Sequence, residues 1–326
     1  MRVGIIGTNW GRMHIGAFRG AGADVVALCG RDLARTQELA RTEGVALGTN
    51  DLQQLFAASQ VVVVASPDGE HHAHVLAALK AGCHVLCEKP LAATAAEAGE
   101  LARVAAQHPS QVCAVGFPYR QLPPFAALRD WAQTWPRPSS LTVTVRSAFV
   151  QRPEPTADLN GMSHLLDAAF WLMDEQPIWV EATSEQLPSR VVSIAAGLAS
   201  GRQVTVKQAA SDEPGIHGVW VLFAETRVAR VTGGYVPALG GWRLGPAQVS
   251  FPASDHWTTL SPQLVPIEGT REPWAQAHVE NARELLAVIS GAPRRNLASF
   301  EDGARVQRVL GAAVDSAAAA GRRVQL

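Results

Sequence analysis

The residues with the plainest chemical potential are Glu88 and Lys89, which close the run Ala81-Gly-Cys-His-Val-Leu-Cys-Glu-Lys-Pro90. A lysine amine can take or give a proton at a reacting oxygen once its surroundings lower its pKa from the ordinary value of about 10.4. Position decides whether it does so. Val61-Val62-Val63-Val64-Ala65 has the uninterrupted β-branched character of a parallel strand buried on both faces. Ser66-Pro67-Asp68-Gly69 stops that strand, a helix runs from about residue 70 to Gly82, and His84 to Cys87 forms the next strand. Glu88-Lys89-Pro90 therefore leaves a sheet at its carboxyl edge, where open α/β sheets bind ligands. Successive side chains of an extended segment point opposite ways, so only one of Glu88 and Lys89 faces a given substrate. Lys89 is assigned that role.

The start of the chain supplies a partner for the lysine. Arg2-Val3-Gly4-Ile5-Ile6-Gly7 reads as a strand, and Gly7-Thr8-Asn9-Trp10-Gly11 turns it into a helix ending near Gly20. Such a turn aims backbone N–H groups and the positive end of a helix dipole at a pyrophosphate. The glycine fingerprint is incomplete, with Asn9 at the second glycine position and Gly11 one residue early. Asn tolerates left-handed backbone angles, so the substitution weakens the motif without abolishing it. The second strand, Asp24 to Cys29, ends where an NAD enzyme places a carboxylate for the adenosine ribose. Here that position is Gly30 and Arg31 follows, an arrangement suited to a 2′-phosphate, so NADP is favoured over NAD as the cofactor.

Strands near 2–7, 24–29, 45–49, 60–65, 83–87 and 111–116 alternate with helices near 11–20, 32–43, 51–58, 70–81 and 94–107, the rhythm of a doubly wound parallel sheet. The rhythm ends around Phe117. Strand candidates at 141–150, 178–183, 191–196, 204–209, 219–224 and 228–231 follow with few helices between them, predicting an open, largely antiparallel sheet, with helices at 160–173, 275–290 and 299–319. The fold class is α/β, with a Rossmann domain at 1–118 and an α+β domain at 119–326. Net charge of -1 leaves no basic footprint for nucleic acid, and no apolar run reaches the roughly 18 to 20 residues of a membrane span. With a strand beginning at Arg2 and no signal peptide ahead of it, the cytoplasm is the expected location. Cys29, Cys83, Cys87 and Cys113 read as core thiols, and no metal is expected.

Gly7 to Gly11, Pro67 to His71, Gly82 to Pro90, Gly116-Phe-Pro-Tyr-Arg120, His164-Leu-Leu-Asp167 and the ending from Glu301-Asp-Gly303 resemble the Gfo/Idh/MocA family of NAD(P)-dependent oxidoreductases. The resemblance implies hydride transfer between nicotinamide and a carbonyl or hydroxyl carbon of a sugar, polyol or related molecule, with Lys89 moving the proton. It also implies a homodimer or homotetramer. Cofactor contacts fall on Gly7, Thr8, Asn9, Trp10, Gly11, Gly30, Arg31, Ser66, Pro67, His71, Glu88 and Lys89. Family members carry an Asp-x-Gly-x-His pattern on a second-domain helix, which aligns with His164 as a catalytic partner of Lys89. Asn160 takes the Asp position and Met162 the Gly position, so an amide that cannot accept a proton at neutral pH stands where the family has a carboxylate. Asn160, His164, Asp167 and Trp171 share one helix face. Asn160 is carried as a third catalytic candidate, and Tyr119, Arg120 and Asp167 as substrate-binding ones. Two alternatives stay open, a reductase of an imine or tetrapyrrole and a dinucleotide-binding regulator without turnover. Trp220, Trp242, Trp257 and Trp274 divide between core, interface and substrate stacking in a way that sequence does not sort.

Overall fold

The structure, a computed structural model, describes residues 1–134, 136–148, 155–185, 191–251, 256–265 and 272–326, with backbone only at 155–160 and 239. The chain forms two compact units, Met1–Pro118 with Ala275–Gln307, and Tyr119–Trp274 with Arg308–Leu326.

The first unit holds six parallel strands, β1 (Arg2–Ile6), β2 (Asp24–Cys29), β3 (Leu47–Thr49), β4 (Val61–Val64), β5 (His84–Cys87) and β6 (Cys113–Val115), in the order β3-β2-β1-β4-β5-β6. Helices α1 (Gly11–Gly20), α2 (Leu33–Thr42), α3 (Leu52–Ala58), α4 (His71–Lys80) and α5 (Ala95–Ala106) provide the crossovers. The order reverses beside β1 and β4, the crevice where such sheets take ligands. All four valines of β4 are fully buried, as a central parallel strand with both faces covered requires. Local chemistry sets the boundaries. Asp32 caps α2 by accepting from the Arg35 N–H at 3.0 Å, and Thr94 and Glu97 form a reciprocal capping box on α5. Ala282, Leu285 and Leu297, from the later segment, join the core around Val3, Ile5 and Phe18.

The second unit is built on one mixed sheet. Its strands are β7 (Ser140–Ser147), β8 (Pro177–Ser184), β9 (Val191–Leu198), β10 (Gln203–Ala210), β11 (Ile216–Phe223), β12 (Val228–Val236), β13 (Gly241–Leu244), β14 (Gln248–Ser250), β15 (Thr258–Thr259) and β16 (Val324–Gln325). The order is β15-β14-β12-β11-β7-β10-β9-β8-β16, with β13 paired to β12. Every pairing is antiparallel except β7 with β10. Helix α6 (Pro123–Ala132), which follows directly on the first unit, was not among the sequence expectations. Pro123 and Pro124 open it, because proline at the first helical turn is pre-organised for a start and sacrifices no helical hydrogen bond. Helix α7 (Pro155–Met173) packs on β7 and β10, and from Leu165 to Met173 every residue is buried, all of them apolar except Asp167. Helices α8 (Pro273–Ile289) and α9 (Phe300–Ala318) complete the chain.

Candidate functional site

At the carboxyl edge of β1, Gly7 adopts φ 113°, and a Cβ there would stand 2.2 Å from the Ala65 carbonyl oxygen. Only glycine fits so close an approach of turn to strand. Gly11 packs the start of α1 closely as well, where a Cβ would meet the Ile5 side chain at 2.9 Å. The turn borders a cavity of about 380 Å³ lined by Gly7, Thr8, Asn9 and Trp10 from the first crossover, Gly30 and Arg31 after β2, and Ser66 and Pro67 after β4. Eight of the residues singled out from sequence thus meet at one cavity. Glu70, His74, Asn50 and Leu52 also line it and were missed. His74 lies one turn along α4 from His71 and its Nδ1 is 2.9 Å from the Ser66 hydroxyl, a contact that helical spacing could have suggested.

The cavity wall after β2 is set by Gly30. A Cβ there would meet Thr36 Oγ1 at 2.5 Å and Thr8 Cγ2 at 2.7 Å, so a side chain carboxylate has no room. Asp32, two residues on in the chain, is the α2 cap already described. Arg35 reaches back to donate to Asn9 Oδ1 at 2.9 Å, tying the glycine turn to α2. Arg31 is exposed at the cavity wall.

Glu88 and Lys89 separate as extended geometry demands. Glu88 is buried and its Oε1 lies 2.7 Å from His14 Nε2 of α1. Gly116 makes room for it, since a Cβ there would stand 2.9 Å from that oxygen. Burial alone would raise the Glu88 pKa, but the His14 hydrogen bond, helped by the nearby Lys89 charge, prevails and holds it down at about 2. His278 of α8 stacks edge-on against His14 at 5.7 Å between ring centroids, and against Trp10 at 6.4 Å. Burial pushes its imidazole down to about 3, so it stays neutral. Lys89 is half-buried, and burial lowers its pKa against the opposing pull of Glu88 and Asp68. His71 braces the loop from below, its ring nitrogens 2.9 Å from the Ser66 carbonyl and 2.8 Å from that of Pro90.

The donor atoms of His14, Glu88 and His278 lie within 4.8 Å of one another, a ligand set that suits a divalent ion. Tetrahedral bonds of about 2.0–2.1 Å would hold such atoms roughly 3.3 Å apart. The 2.7 Å His14–Glu88 separation is instead that of a hydrogen bond.

In the second unit, the Asp167 carboxylate accepts from Arg120 Nη2 at 2.5 Å and Nε at 2.9 Å, both residues being almost fully buried. This bidentate pair joins the segment ahead of α6 to α7. His164, one turn earlier, is half-buried and meets Tyr119 and Trp274 edge-on at 6.0 and 5.4 Å. Met162 is buried. The side chain of Asn160 lies outside the described residues.

Residues 1–117 match the family model described as an oxidoreductase family with an NAD-binding Rossmann fold. Inositol 2-dehydrogenase of Cereibacter sphaeroides is 32% identical over 185 residues, 54% of this chain and 55% of that protein. D-glucoside 3-dehydrogenase of Escherichia coli is 44% identical over 80 residues, 24% of this chain and 23% of that protein. The chain thus spans about a quarter to a half of the length of these relatives. Levoglucosan dehydrogenase in complex with NADH superposes with a TM-score of 0.81 at 20% identity, covering 100% of this chain and 98% of that one, which establishes a shared fold. Among the described residues, no helix is long and apolar enough to cross a membrane.

Proposed function

We propose that this protein, whose residues 1–117 match the Gfo/Idh/MocA oxidoreductase family with its NAD-binding Rossmann fold, oxidises or reduces a carbinol or carbonyl carbon of a small sugar-like or polyol-like molecule with a nicotinamide cofactor. The observation that carries the reading is Lys89, a half-buried amine with a lowered pKa at the carboxyl edge of β5. The nicotinamide, when bound, supplies the hydride acceptor or donor. Lys89 Nζ takes the proton from the substrate hydroxyl in oxidation and returns it in reduction. Its lowered pKa makes the neutral amine accessible nearer pH 7 than in an exposed lysine. Glu88 does not share that work. Held by His14, it is a positioning residue that fixes where β5 ends and which way Lys89 leaves it.

His164 takes the supporting part at the reacting oxygen, and Asn160 can orient substrate without sharing its proton. His164→Ala is therefore expected to lower kcat by about tenfold to a hundredfold, and Asn160→Ala by less. Steady-state kinetics on both variants, with the substrate that gives the fastest turnover, checks the order. Equal losses would remove the distinction between an imidazole that moves charge and an amide that only orients.

NADP(H) is the proposed cofactor of choice. Gly30 puts no carboxylate at the position where an NAD enzyme holds the ribose hydroxyls, and the exposed Arg31 guanidinium can meet the 2′-phosphate in paired hydrogen bonds. Bonds to charged groups are worth about 1.5–3 kcal/mol, or about a tenfold to hundredfold preference. Calorimetric titration of both cofactors into wild type and Arg31→Ala measures it. The variant is expected to lose the preference while holding NAD(H) as before, and tighter NAD(H) binding by wild type would contradict the assignment.

A further inference from the structure

Building on that reading, we infer that the stacked pair Trp242 and Trp274, with His164 and Tyr119, forms the substrate platform of the second unit, and that it takes a cyclic hydroxy or keto compound with one apolar face. The two indoles lie 4.6 Å apart at 18°, both half-buried. Tyr119 meets Trp274 edge-on at 5.1 Å and Trp242 at 6.0 Å, and His164 meets Trp274 at 5.4 Å. A fully buried layer holds these rings from beneath. Phe125 and Trp220 contact each other at 5.0 Å and reach Tyr119 at 4.9 and 5.5 Å. The stack is anchored through the backbone as well, since the Trp242 N–H donates to Glu272 Oε1 at 2.5 Å, two residues before Trp274.

The structure therefore sorts the tryptophans. Trp220 is core, Trp257 lies under the Arg230 guanidinium at 3.7 Å, and only Trp242 and Trp274 combine partial exposure with contact to the candidate histidine's ring cluster. Among the described residues, the rings of Tyr119 and His164 meet this pair. Asp167 is committed to Arg120, and burial raises the Tyr119 pKa, keeping its hydroxyl neutral. A ring hydroxylated all round would press hydroxyls against indole faces without hydrogen-bond partners, at a cost. A ring with a C–H face gains dispersion there and keeps its reacting hydroxyl for the imidazole.

The test compares trans-1,2-cyclohexanediol with myo-inositol, which share one carbocycle and differ in its hydroxyls, on wild type, Trp242→Ala, Trp274→Ala and the corresponding phenylalanine variants. The expected result is a KM for the diol at least about tenfold below that for inositol, raised about tenfold by either alanine variant, with kcat changed less than about threefold and phenylalanine restoring most of the loss. Calorimetric titration of the diol runs alongside, with thermal melting to confirm folding. Diol binding that Trp274→Ala abolishes, without cofactor reduction by any variant, would support the platform while refuting the hydride-transfer reading. A lower KM for inositol, a ratio that neither alanine variant moves, or no binding of either compound would overturn the platform.

Discussion

Lys89→Met is expected to cut turnover by about a hundredfold to ten-thousandfold while leaving NADP(H) affinity within about threefold. Methionine keeps most of the apolar stem and removes only the amine, so the half-buried position is refilled. The proposed phosphate site is the turn from Gly7 to Gly11, which the substitution does not touch. The wild-type pH profile carries the same information with a definite sign. Burial lowers the Lys89 pKa, so in the oxidative direction the rate should rise with pH as the amine loses its proton and level off below the roughly 10.4 of a free lysine. Lys89→Met should flatten that limb. A variant retaining more than about a tenth of wild-type turnover would strip Lys89 of the role, because positioned proton transfer is worth more than that. Equal loss of cofactor binding would mark the lysine as structural.

Asp167→Asn should destabilise the fold by about 3–5 kcal/mol, since it leaves the Arg120 guanidinium buried without its counter-charge. Replacing both partners at once, Arg120→Met with Asp167→Leu, should recover much of the loss, because apolar groups of similar volume need no compensation. Urea unfolding followed by far-ultraviolet circular dichroism measures both. A single-variant loss below about 1 kcal/mol would place this pair with solvent-screened surface bridges, against its almost complete burial.

The first unit was legible because each of its elements carries a local signal. Four consecutive buried valines mark β4, and Asp32 and Thr94 mark where helices begin, so strand and helix positions followed from sequence within a few residues. The second unit was read less completely, for physical reasons. β13 to β16 are two to four residues long, too short for alternation to emerge, and their pairing depends on partners distant in the chain. The parallel pairing of β7 with β10 is set by sheet packing and leaves no trace in either strand. Trp274 stacking on Trp242 and His278 returning to the His14–Glu88 pair are long-range contacts of the same kind. At the first unit's cavity the glycine turn, Gly30 and Arg31 were visible from types and spacing. Glu70, Asn50 and Leu52 were not, because cavity walls are defined by where loops converge.

The central claim is that this chain moves a hydride to nicotinamide while Lys89 takes the proton. Single-turnover mixing of the protein and NADP⁺ with a panel of carbinol-deuterated cyclic alcohols, followed by the absorbance of reduced nicotinamide and by mass analysis of the cofactor, tests it most directly. The account expects reduced cofactor carrying one deuterium, formed by wild type at least about a hundredfold faster than by Lys89→Met. Reduced cofactor without deuterium, or equal rates from the two proteins, would contradict it.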